Sequence, residues 1–488
     1  MKPVFSFDVV LPTRGQGTVK QSLYQQLRSA ILDGRVAPGT KLPATRQVAT
    51  GLGVARNTVL AAYDLLIAEG YVIPRAGAKA VVADVTARRS RPVRRSSAAV
   101  IANPRMNPLW LTPALKRETR RKLPERSFRL GTPEYRFFPH DTWRRLSARS
   151  LRSFAKRPFT YSPSEGVPEL RAAIAHHVAF ARAVACTADD VIVTSGAQQA
   201  FDMLARLLVV PGRTKVAVEN PGYPPLRSAF LAAGAELVPI GLDDEGMRVA
   251  DLPDDVNVVS VTPSHQSPTG AVLSLQRRTE LLDFARRRGA VVIEDDYDGE
   301  FRYGGRPLDA LQMMDRDGSV FYVGTFSKSL FPALRKGFIV APPWACDGLI
   351  NIKYASDAHS DATTQSLLAA FIHDGHLARY VQRMNKVYAA RWSTLLEELA
   401  RLDSWLQPIP SEAGLHLAAR IVDPGLASTV ISLAQEHLPG TQSTMAYSRT
   451  PLKHQALTVG YGVVETNEIA AAFKGFRRAL ASAKVRTR

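Results

Sequence analysis

The sequence predicts two folded parts of different class, joined by a basic linker. Residues 1–83 carry a helical pattern that ends in a short ribbon, and residues 84–124 mix basic residues with Pro and Ser. Over residues 125–488, short apolar runs alternate with helical patterns. Strands that are each followed by a helix are typical of an α/β domain with a mainly parallel sheet, covered by helices on both faces. Beyond about Trp344 the pattern predicts a long helix and then a smaller C-terminal α/β subdomain.

The N-terminal part has the spacing of three helices and a two-stranded ribbon. Leu23, Leu27 and Ile31 recur every four residues, so they lie on one face of the first helix. The ribbon is expected to turn near Ala76 and Gly77. The later elements are predicted near residues 45–52, 55–69 and 71–82. This order of elements is that of a winged helix-turn-helix, in which the ribbon is the wing.

A helix-turn-helix can read DNA with the first residues of its third helix. Arg56 can pair with guanine, Asn57 with adenine, and Thr58 with a phosphate or a methyl group. A helical bundle with surface charges is the alternative. The side chains expected to contact DNA lie at the starts of the second and third helices and on the wing: Arg46, Arg56, Asn57, Thr58, Arg75 and Lys79.

The charge balance favours a polyanionic partner. The chain carries 63 basic and 44 acidic residues, a net charge of +19. Basic residues gain by displacing counterions from phosphates, although a generally basic, soluble protein could have the same net charge. The linker is then a solvated tether, or a tether that also touches DNA phosphates. Its basic residues are Arg88, Arg89, Arg91, Arg94, Arg95, Lys116, Arg117, Arg120, Arg121 and Lys122.

Several classes of protein are poorly supported. Cys186 and Cys346 lie far apart, so we expect neither a disulfide framework nor a Cys-x-x-Cys metal site. The apolar stretch at the N-terminus is broken by Asp8, which argues against a signal peptide. No apolar run approaches the length of a membrane span. We therefore expect a cytoplasmic protein without a bound metal or membrane contact.

Lys328 is the first candidate for chemistry in the α/β part. It follows a predicted strand in GTFSKSLFPALRKG, close to Thr325, Ser327 and Arg335, which are all phosphate-binding residue types. A surface lysine in a loop is the alternative. Parallel sheets bind ligands beyond the carboxyl ends of their strands, so this loop is a candidate site.

Acidic and aromatic side chains follow another predicted strand. Asp295 ends that strand in VVIEDDYDGEF, and Tyr297 lies two residues further on. A solvated turn, or half of a metal site, is the alternative. A metal would require more ligands than the sequence offers nearby, so we expect none.

Two further strand ends carry candidate ligand-binding residues. The stretch Ser195-Gly196-Ala197-Gln198 joins a strand to a helix, where exposed N–H groups attract phosphate and Gly lets the backbone approach closely. Tyr223 in ENPGYPP follows another strand. Its ring could stack on a planar ligand or could belong to the core.

Together these residues meet the demands of pyridoxal 5′-phosphate (PLP) chemistry. PLP needs a Lys for its Schiff base, a carboxylate opposite its pyridine nitrogen and donors for its phosphate. Lys328 can supply the first and Asp295 the second, which keeps the ring an electron sink. Tyr297 can reach the ring hydroxyl, and Tyr223 can stack on the ring face.

Longer motifs indicate two known families. PGTKLPATRQVATGLGVARNTVLAAYDLLIAEGYV closely resembles the GntR family of winged-helix regulators. TPSHQSPTG, EDDYDGEFRY and GTFSKSLFPALRKG resemble the PLP-dependent aminotransferases of fold type I, the aspartate aminotransferase fold. The whole chain from roughly Lys20 onward resembles a MocR-type member of the GntR family.

The resemblance implies roles for individual residues. Lys328 would carry PLP as a Schiff base, Asp295 would pair with the pyridine nitrogen, Tyr297 would bond the ring hydroxyl and Tyr223 would stack. A head-to-tail homodimer with exchanged DNA-binding arms is also implied, in which Tyr161 reaches in from the second subunit. The residues that would hold the cofactor phosphate are Gly196, Ala197, Gln198, Thr325 and Arg335.

Three positions depart from the families that the chain resembles. Ala55 stands where a Ser often caps the recognition helix, and losing a cap costs ~1 kcal/mol. Ser267 stands where aminotransferases have an Asn that bonds the ring hydroxyl, and its own hydroxyl can still donate. Thr458 stands where they have an Arg that binds the substrate carboxylate. Arg449 and Arg227 are candidate substitutes that the sequence alone does not place.

The two parts together predict a PLP-dependent, ligand-responsive transcription regulator. The effector would be an amine, an amino acid or PLP itself, and it would favour one arrangement of the dimer over another. The alternative is an active PLP-dependent aminotransferase with a DNA-binding appendage. The complete set of cofactor residues favours the enzyme, and the missing carboxylate-binding Arg opposes it. A structural nucleic-acid packager would not need a cofactor site.

Overall fold

The computed structural model describes residues 4–12, 17–75, 78–84, 105–115, 123–156, 160–304 and 308–486. The chain divides into two compact units, Met1–Asn103 and Pro104–Arg488. The predicted turn at Ala76 and Gly77 and the basic linker residues named above lie outside the described residues. None of the described helices combines the length and the apolar character that crossing a membrane requires.

The first unit consists of three helices and an antiparallel ribbon. Its elements are α1 (Val19–Leu32), α2 (Thr45–Leu52), α3 (Arg56–Ala68), β1 (Val72–Arg75) and β2 (Ala78–Val82). Leu23 and Leu27 of α1 are buried with Val59 and Leu66 of α3, so the predicted apolar faces meet in one core. Gly53 at φ +67° ends α2 and turns the chain into α3. The predicted winged helix-turn-helix is confirmed.

Helix α3 begins without a side-chain cap. Ala55 occupies the N-cap position in an extended conformation, and its methyl group cannot accept from the first N–H groups. We expect Ala55→Ser to raise the local free energy of unfolding of α3 by ~1 kcal/mol. Hydrogen exchange of the α3 amides should then slow by about fivefold. Ala68→Ser, at the exposed last residue of α3, should not slow exchange, and equal slowing in both variants would contradict the capping argument.

The second unit is built on an eight-stranded sheet. Its spatial order is β3-β10-β9-β8-β7-β4-β5-β6, and the central strands β9, β8, β7, β4 and β5 pair in parallel. β10 runs antiparallel to both β3 and β9, so the sheet is mainly parallel, as predicted. The strands are β3 (Val191–Thr194), β4 (Lys215–Asn220), β5 (Glu236–Asp243), β6 (Gly246–Met247), β7 (Val258–Val261), β8 (Val291–Asp296), β9 (Val320–Thr325) and β10 (Gly337–Val340).

Helices cover this sheet because its strands are apolar on both faces. Every residue of β3, β7, β9 and β10 is buried, a pattern that requires cover on two sides. The helices of this unit up to residue 357 are α4 (His140–Phe154), α5 (Pro168–Arg182), α6 (Ala197–Leu208), α7 (Pro224–Ala232), α8 (Leu275–Arg288), α9 (Phe326–Ser329) and α10 (Pro343–Asp357).

The C-terminal part confirms the predicted smaller α/β subdomain. Four antiparallel strands in the order β11-β12-β14-β13 pack with the last helices. The remaining elements are α11 (Ala362–His373), α12 (His376–Ala400), β11 (Leu406–Pro408), β12 (His416–Ile421), α13 (Ala427–His437), β13 (Gln442–Ser443), β14 (Ala456–Gly460) and α14 (Thr466–Arg486).

Three details of the prediction were wrong. The region after Trp344 forms three helices rather than one long helix, because Ala358 at φ +56° and Gly375 at φ +72° interrupt it. β8 continues through Asp296, so Asp295 lies within the strand rather than after it. Lys328 lies on the short helix α9 rather than in a loop.

Candidate functional site

The predicted cofactor residues lie at the carboxyl ends of neighbouring strands. Asp295 is the penultimate residue of β8, and Lys328 lies on α9, which follows the end of β9 at Thr325. Gly196 follows β3 and Tyr223 follows β4. β3 and β9 point the same way because both are antiparallel to β10. The fold therefore gathers these residues along one edge of the sheet, where α/β folds bind ligands.

The Lys328 amine is hydrogen-bonded to the backbone of the segment that precedes α4. Its Nζ donates to the Gly131 carbonyl at 2.6 Å, and a Cβ on Gly131 would lie 2.5 Å from that Nζ. Burial lowers the pKa of Lys328 below its usual range, and the carboxyl groups of Asp298 and Asp295 oppose this only in part. The amine is therefore more often neutral, as a nucleophile that attacks an aldehyde must be.

Asp295 has a buried carboxyl oxygen that accepts no hydrogen bond from the described residues. The side chain is 5% exposed, and its Oδ1 has no hydrogen-bond partner among the described residues. Burial raises the pKa of Asp295 well above its usual value, and the neighbouring Asp296 and Glu219 raise it further. A buried carboxyl oxygen that lacks a hydrogen bond is unfavourable in free energy, and a protonated ring nitrogen would supply the missing donor.

Tyr297 is surrounded by polar groups that the sequence prediction included only in part. Burial raises the pKa of Tyr297 well above its usual value, and a hydrogen bond with Ser267 opposes the shift. Its hydroxyl also lies 3.0 Å from His265 Nδ1. Glu219 lies nearby, where burial raises its pKa to about 7 while hydrogen bonds from Thr262 and Gln266 oppose the rise.

The sequence prediction missed His265 and Asp298, although both lie in motifs that it quoted. Asp298 accepts from His265, and His416 lies beside the same ring, so that their candidate ligand atoms fall within 4.8 Å of one another. Direct hydrogen bonds at 3.0 Å account for the pairing of His265 and Asp298 without a metal, which would bind each ligand at ~2.0–2.2 Å. That no metal binds here stays a prediction.

Arg335, Thr325 and Ser327 form a cradle beside Gly196. A Cβ on Gly196 would lie 2.8–2.9 Å from the Arg335 guanidinium, so only glycine leaves this space open. Arg335 Nη2 donates to the Ser195 carbonyl at 2.6 Å, and Thr325 accepts from the Ser327 N–H at 3.2 Å. The cradle combines a guanidinium, two hydroxyls and a helix start, which is the donor set for a phosphate.

The remaining predicted cofactor residues have different surroundings. Ala197 and Gln198 are the first residues of α6, and the Gln198 side chain donates to the Pro225 carbonyl at 3.0 Å. Tyr223 is 40% exposed at the N-cap of α7, and its ring lies edge-on to Phe201 with the ring centroids 6.4 Å apart. Tyr161 is 87% exposed in the single chain, so its contact with a second subunit stays a prediction.

Two arginines stand where an anionic group could be bound. Thr458 is buried within β14, and its hydroxyl donates to the Gln442 carbonyl at 2.9 Å. Arg227 donates to the Tyr447 carbonyl at 2.5 Å, and burial together with Arg449 lowers its pKa to about 10. The two candidate substitutes for the missing carboxylate-binding Arg are thus close enough to repel each other, and a shared anion would relieve that repulsion.

The first unit exposes the side chains predicted to read DNA. Arg46, Arg56, Asn57, Arg75 and Lys79 are exposed. Thr58 is partly buried at the start of α3. An Arg56 hydrogen bond to Thr45 at 3.4 Å brings the starts of α2 and α3 together.

Arg56 and Lys79 should affect DNA binding in different ways. Arg56→Ala is expected to weaken binding to the cognate site by ~1–3 kcal/mol and to relax specificity at one base pair, because a bidentate base contact is lost. Lys79→Ala should weaken binding to all sequences alike and lower the salt slope by ~1. Fluorescence anisotropy with cognate and scrambled duplexes measures both effects. An equal loss on both duplexes with Arg56→Ala would contradict base reading.

The fold and the site define a class of protein: a helix-turn-helix DNA-binding unit combined with an aminotransferase-type unit whose residues fit PLP. Residues 19–82 match the family of bacterial regulatory proteins, gntR family, and residues 126–437 match aminotransferase class I and II. The chain belongs to the MocR-type regulators of the GntR family.

Relatives that match this chain over most of their own length support this assignment. The chain is 39% identical to the probable rhizopine catabolism regulatory protein MocR of Rhizobium meliloti, over 84% of this chain and 83% of the relative. It is 32% identical to the pyridoxine biosynthesis transcriptional regulator PdxR of Corynebacterium glutamicum, over 86% and 87% of the two chains.

Solved aminotransferases share the fold of the second unit. The kynurenine aminotransferase of Pyrococcus horikoshii has a TM-score of 0.67 and 25% identity, over 73% of this chain and 91% of the enzyme. The α-aminoadipate aminotransferase LysN of Thermus thermophilus has a TM-score of 0.66 and 27% identity, over 73% and 92%. This unit is therefore a PLP-binding unit of fold type I.

Proposed function

We propose that this chain is a PLP-dependent, ligand-responsive transcription regulator that holds PLP as a Schiff base on Lys328. The observation that carries the proposal is the unpartnered Oδ1 of Asp295 among the described residues, within electrostatic reach of the Lys328 amine. A buried carboxyl oxygen without a donor is energetically costly, and a protonated ring nitrogen would remove that cost. PLP supplies an aldehyde and an electron-withdrawing ring, and the residues 125–488 supply its surroundings.

The effector is proposed to be an amine or an amino acid, or PLP itself. An amine on the effector would compete with Lys328 for the PLP aldehyde, and burial favours the neutral form of the Lys328 amine by lowering its pKa. Arg227 and Arg449 would bind an anionic group on the effector, since the charge of Arg449 acts on Arg227 and the Arg449 backbone N–H donates to Asn220 at the end of β4. This arrangement favours an effector that carries both an amine and an anion.

We also propose a homodimeric assembly and a cytoplasmic location for this chain. In a head-to-tail homodimer, the exposed Tyr161 side chain would contact the second subunit. Residues 1–83 would form the DNA-binding domain, and residues 84–124 would form the basic linker. Effector binding then changes DNA affinity only through unequal affinity for two dimer arrangements. A DNA-binding regulator of this family acts in the cytoplasm.

An active aminotransferase with a DNA-binding appendage is the second candidate. The complete cofactor set favours it, whereas Thr458 directs its hydroxyl to a backbone carbonyl and cannot bind a carboxylate as an Arg does. Absorbance of the PLP ring during incubation with an amino donor and a 2-oxo acid separates the two. Sustained turnover supports the enzyme, and a single stoichiometric change supports the regulator.

The proposal is tested by DNA titration on the upstream region of the protein's own gene. Affinity is measured without PLP, with saturating PLP, and with PLP plus each of a panel of amines and amino acids. We expect PLP or an amine to change the Kd by about 5- to 150-fold, the usual range of coupling between two sites. Unchanged affinity under all conditions would contradict ligand-responsive regulation.

A further inference from the structure

A buried histidine and a buried carboxyl group lie directly behind the Tyr297 hydroxyl. His265 Nδ1 is 3.1 and 3.0 Å from the two oxygens of Asp298 and 3.0 Å from the Tyr297 hydroxyl. His265 is 2% exposed and Asp298 is 1% exposed. Neither side chain has a role in the cofactor assignment given above, although His265 contacts the Tyr297 hydroxyl and the Asp298 carboxyl acts on it electrostatically.

The atom types at this contact decide where the protons lie. With Asp298 as the acceptor, the Nδ1 that faces both of its oxygens carries a proton and donates it, because a carboxylate has no proton to give. A protonated Nδ1 cannot also accept from Tyr297. The phenol proton of Tyr297 is therefore left for an acceptor outside the pair.

The orientation of the His265 ring depends on Asp298. The other ring nitrogen, Nε2, is buried and has no hydrogen-bond partner among the described residues. The one strong anchor of the ring is thus the contact of Nδ1 with the Asp298 carboxylate. Gly414 permits this contact, because a Cβ there would lie 2.2 Å from Nδ1 and 2.5 Å from Asp298 Oδ2.

We propose that Asp298 and His265 are a positioning pair that keeps the Tyr297 hydroxyl as a hydrogen-bond donor toward the ring hydroxyl of PLP. This inference rests on the proposed function, in which Tyr297 binds that hydroxyl. In this proposal His265 and Asp298 act on the cofactor through Tyr297. The pair thereby sets how much negative charge the ring oxygen carries.

The positioning pair should change the acidity of the Lys328 imine. A donor at the ring oxygen stabilises negative charge there, and the imine then gains less from keeping its own proton. When the donor is lost, the pH at which the imine loses its proton rises. The titratable and charged groups that face Tyr297 and His265 are Glu219, Asp295, Asp298, Lys328 and His416.

The test is a pH titration of the visible absorbance of the PLP-loaded full-length protein. His265→Leu should raise the midpoint by ~1 pH unit, toward the value of Tyr297→Phe. His265→Asn places an amide N–H near the Nδ1 position and should keep the midpoint close to that of the wild type. Adding His265→Leu to Tyr297→Phe should cause no further shift, because the pair acts through the hydroxyl that is already absent.

His416 offers a matched control. Its ring centroid lies 4.7 Å from that of His265, it is equally buried, and its Nε2 pairs with the Pro268 carbonyl rather than with Tyr297. Burial lowers the pKa of His416 well below its usual value, so His416→Gln removes no charge at neutral pH. We expect it to leave the midpoint unchanged.

Three results would overturn the inference: an unshifted midpoint in His265→Leu, an equal shift in His416→Gln, or a further shift when His265→Leu is added to Tyr297→Phe. A wild-type protein that forms no visible PLP band would instead overturn the proposed function. The two failures are therefore distinguishable in the same series of samples.

Discussion

Replacing Lys328 by Ala is expected to abolish both the visible absorbance of bound PLP and the effect of PLP or amines on DNA affinity. The amine is the only covalent link in the proposed site, and its present contact with the Gly131 carbonyl shows how closely the loop surrounds it. DNA binding without ligand should persist, because the first unit has its own apolar core. Absorbance spectra and DNA titration on the same sample measure both effects.

Lys336 provides the control for the Lys328 variant. It is also a buried lysine whose pKa is lowered by burial, and it lies only eight positions further along the chain. Lys336→Met should retain the absorbance band, since its amine is not the one that faces Gly131. A band that survives in Lys328→Ala, or disappears only in Lys336→Met, would show that another lysine carries the aldehyde.

Asp295→Asn is expected to weaken PLP binding by about 10- to 100-fold. The carboxylate would make a charge-assisted hydrogen bond to the ring nitrogen, and such bonds contribute ~1.5–3 kcal/mol when buried. An amide of the same shape keeps the packing but cannot hold a protonated nitrogen by charge. Equilibrium titration of absorbance with PLP gives the Kd for each variant.

Glu294→Gln is the matched control for Asp295→Asn. Glu294 is also a buried acid of β8, but its oxygens accept from the backbone N–H groups of Leu311 and Gln312 on the other face of the strand. The Kd for PLP should change little in this variant. Equal weakening in both variants would mean that Asp295 acts through the stability of β8 rather than through the ring nitrogen.

Local patterns predicted the fold of the first unit and the strand ends at which the candidate cofactor residues lie. Leu23, Leu27 and Ile31 formed the buried face that their spacing indicates. Lys328 and Asp295 lie at the ends of neighbouring strands because the carboxyl ends of parallel strands meet at the same edge of the sheet. These features depend on neighbours within about ten positions, which a single sequence displays directly.

Features that depend on distant pairs could not be read from the sequence. β10 lies between β3 and β9 in the sheet, although more than a hundred residues separate it from β3. His265 and Asp298 come from different loops, so no spacing rule reveals their contact. Arg227 and Arg449 lie far apart in sequence, and their charges act on each other because the segment that carries Tyr447 and Arg449 is hydrogen-bonded to Asn220 and Gly222.

The claim that everything else depends on is that the Lys328 amine captures the aldehyde of PLP. Borohydride reduction of the PLP-loaded protein, followed by peptide mass spectrometry, tests it most directly. We predict one reduced phosphopyridoxyl adduct, located on Lys328. The absence of any adduct, or an adduct confined to other lysines, would contradict it.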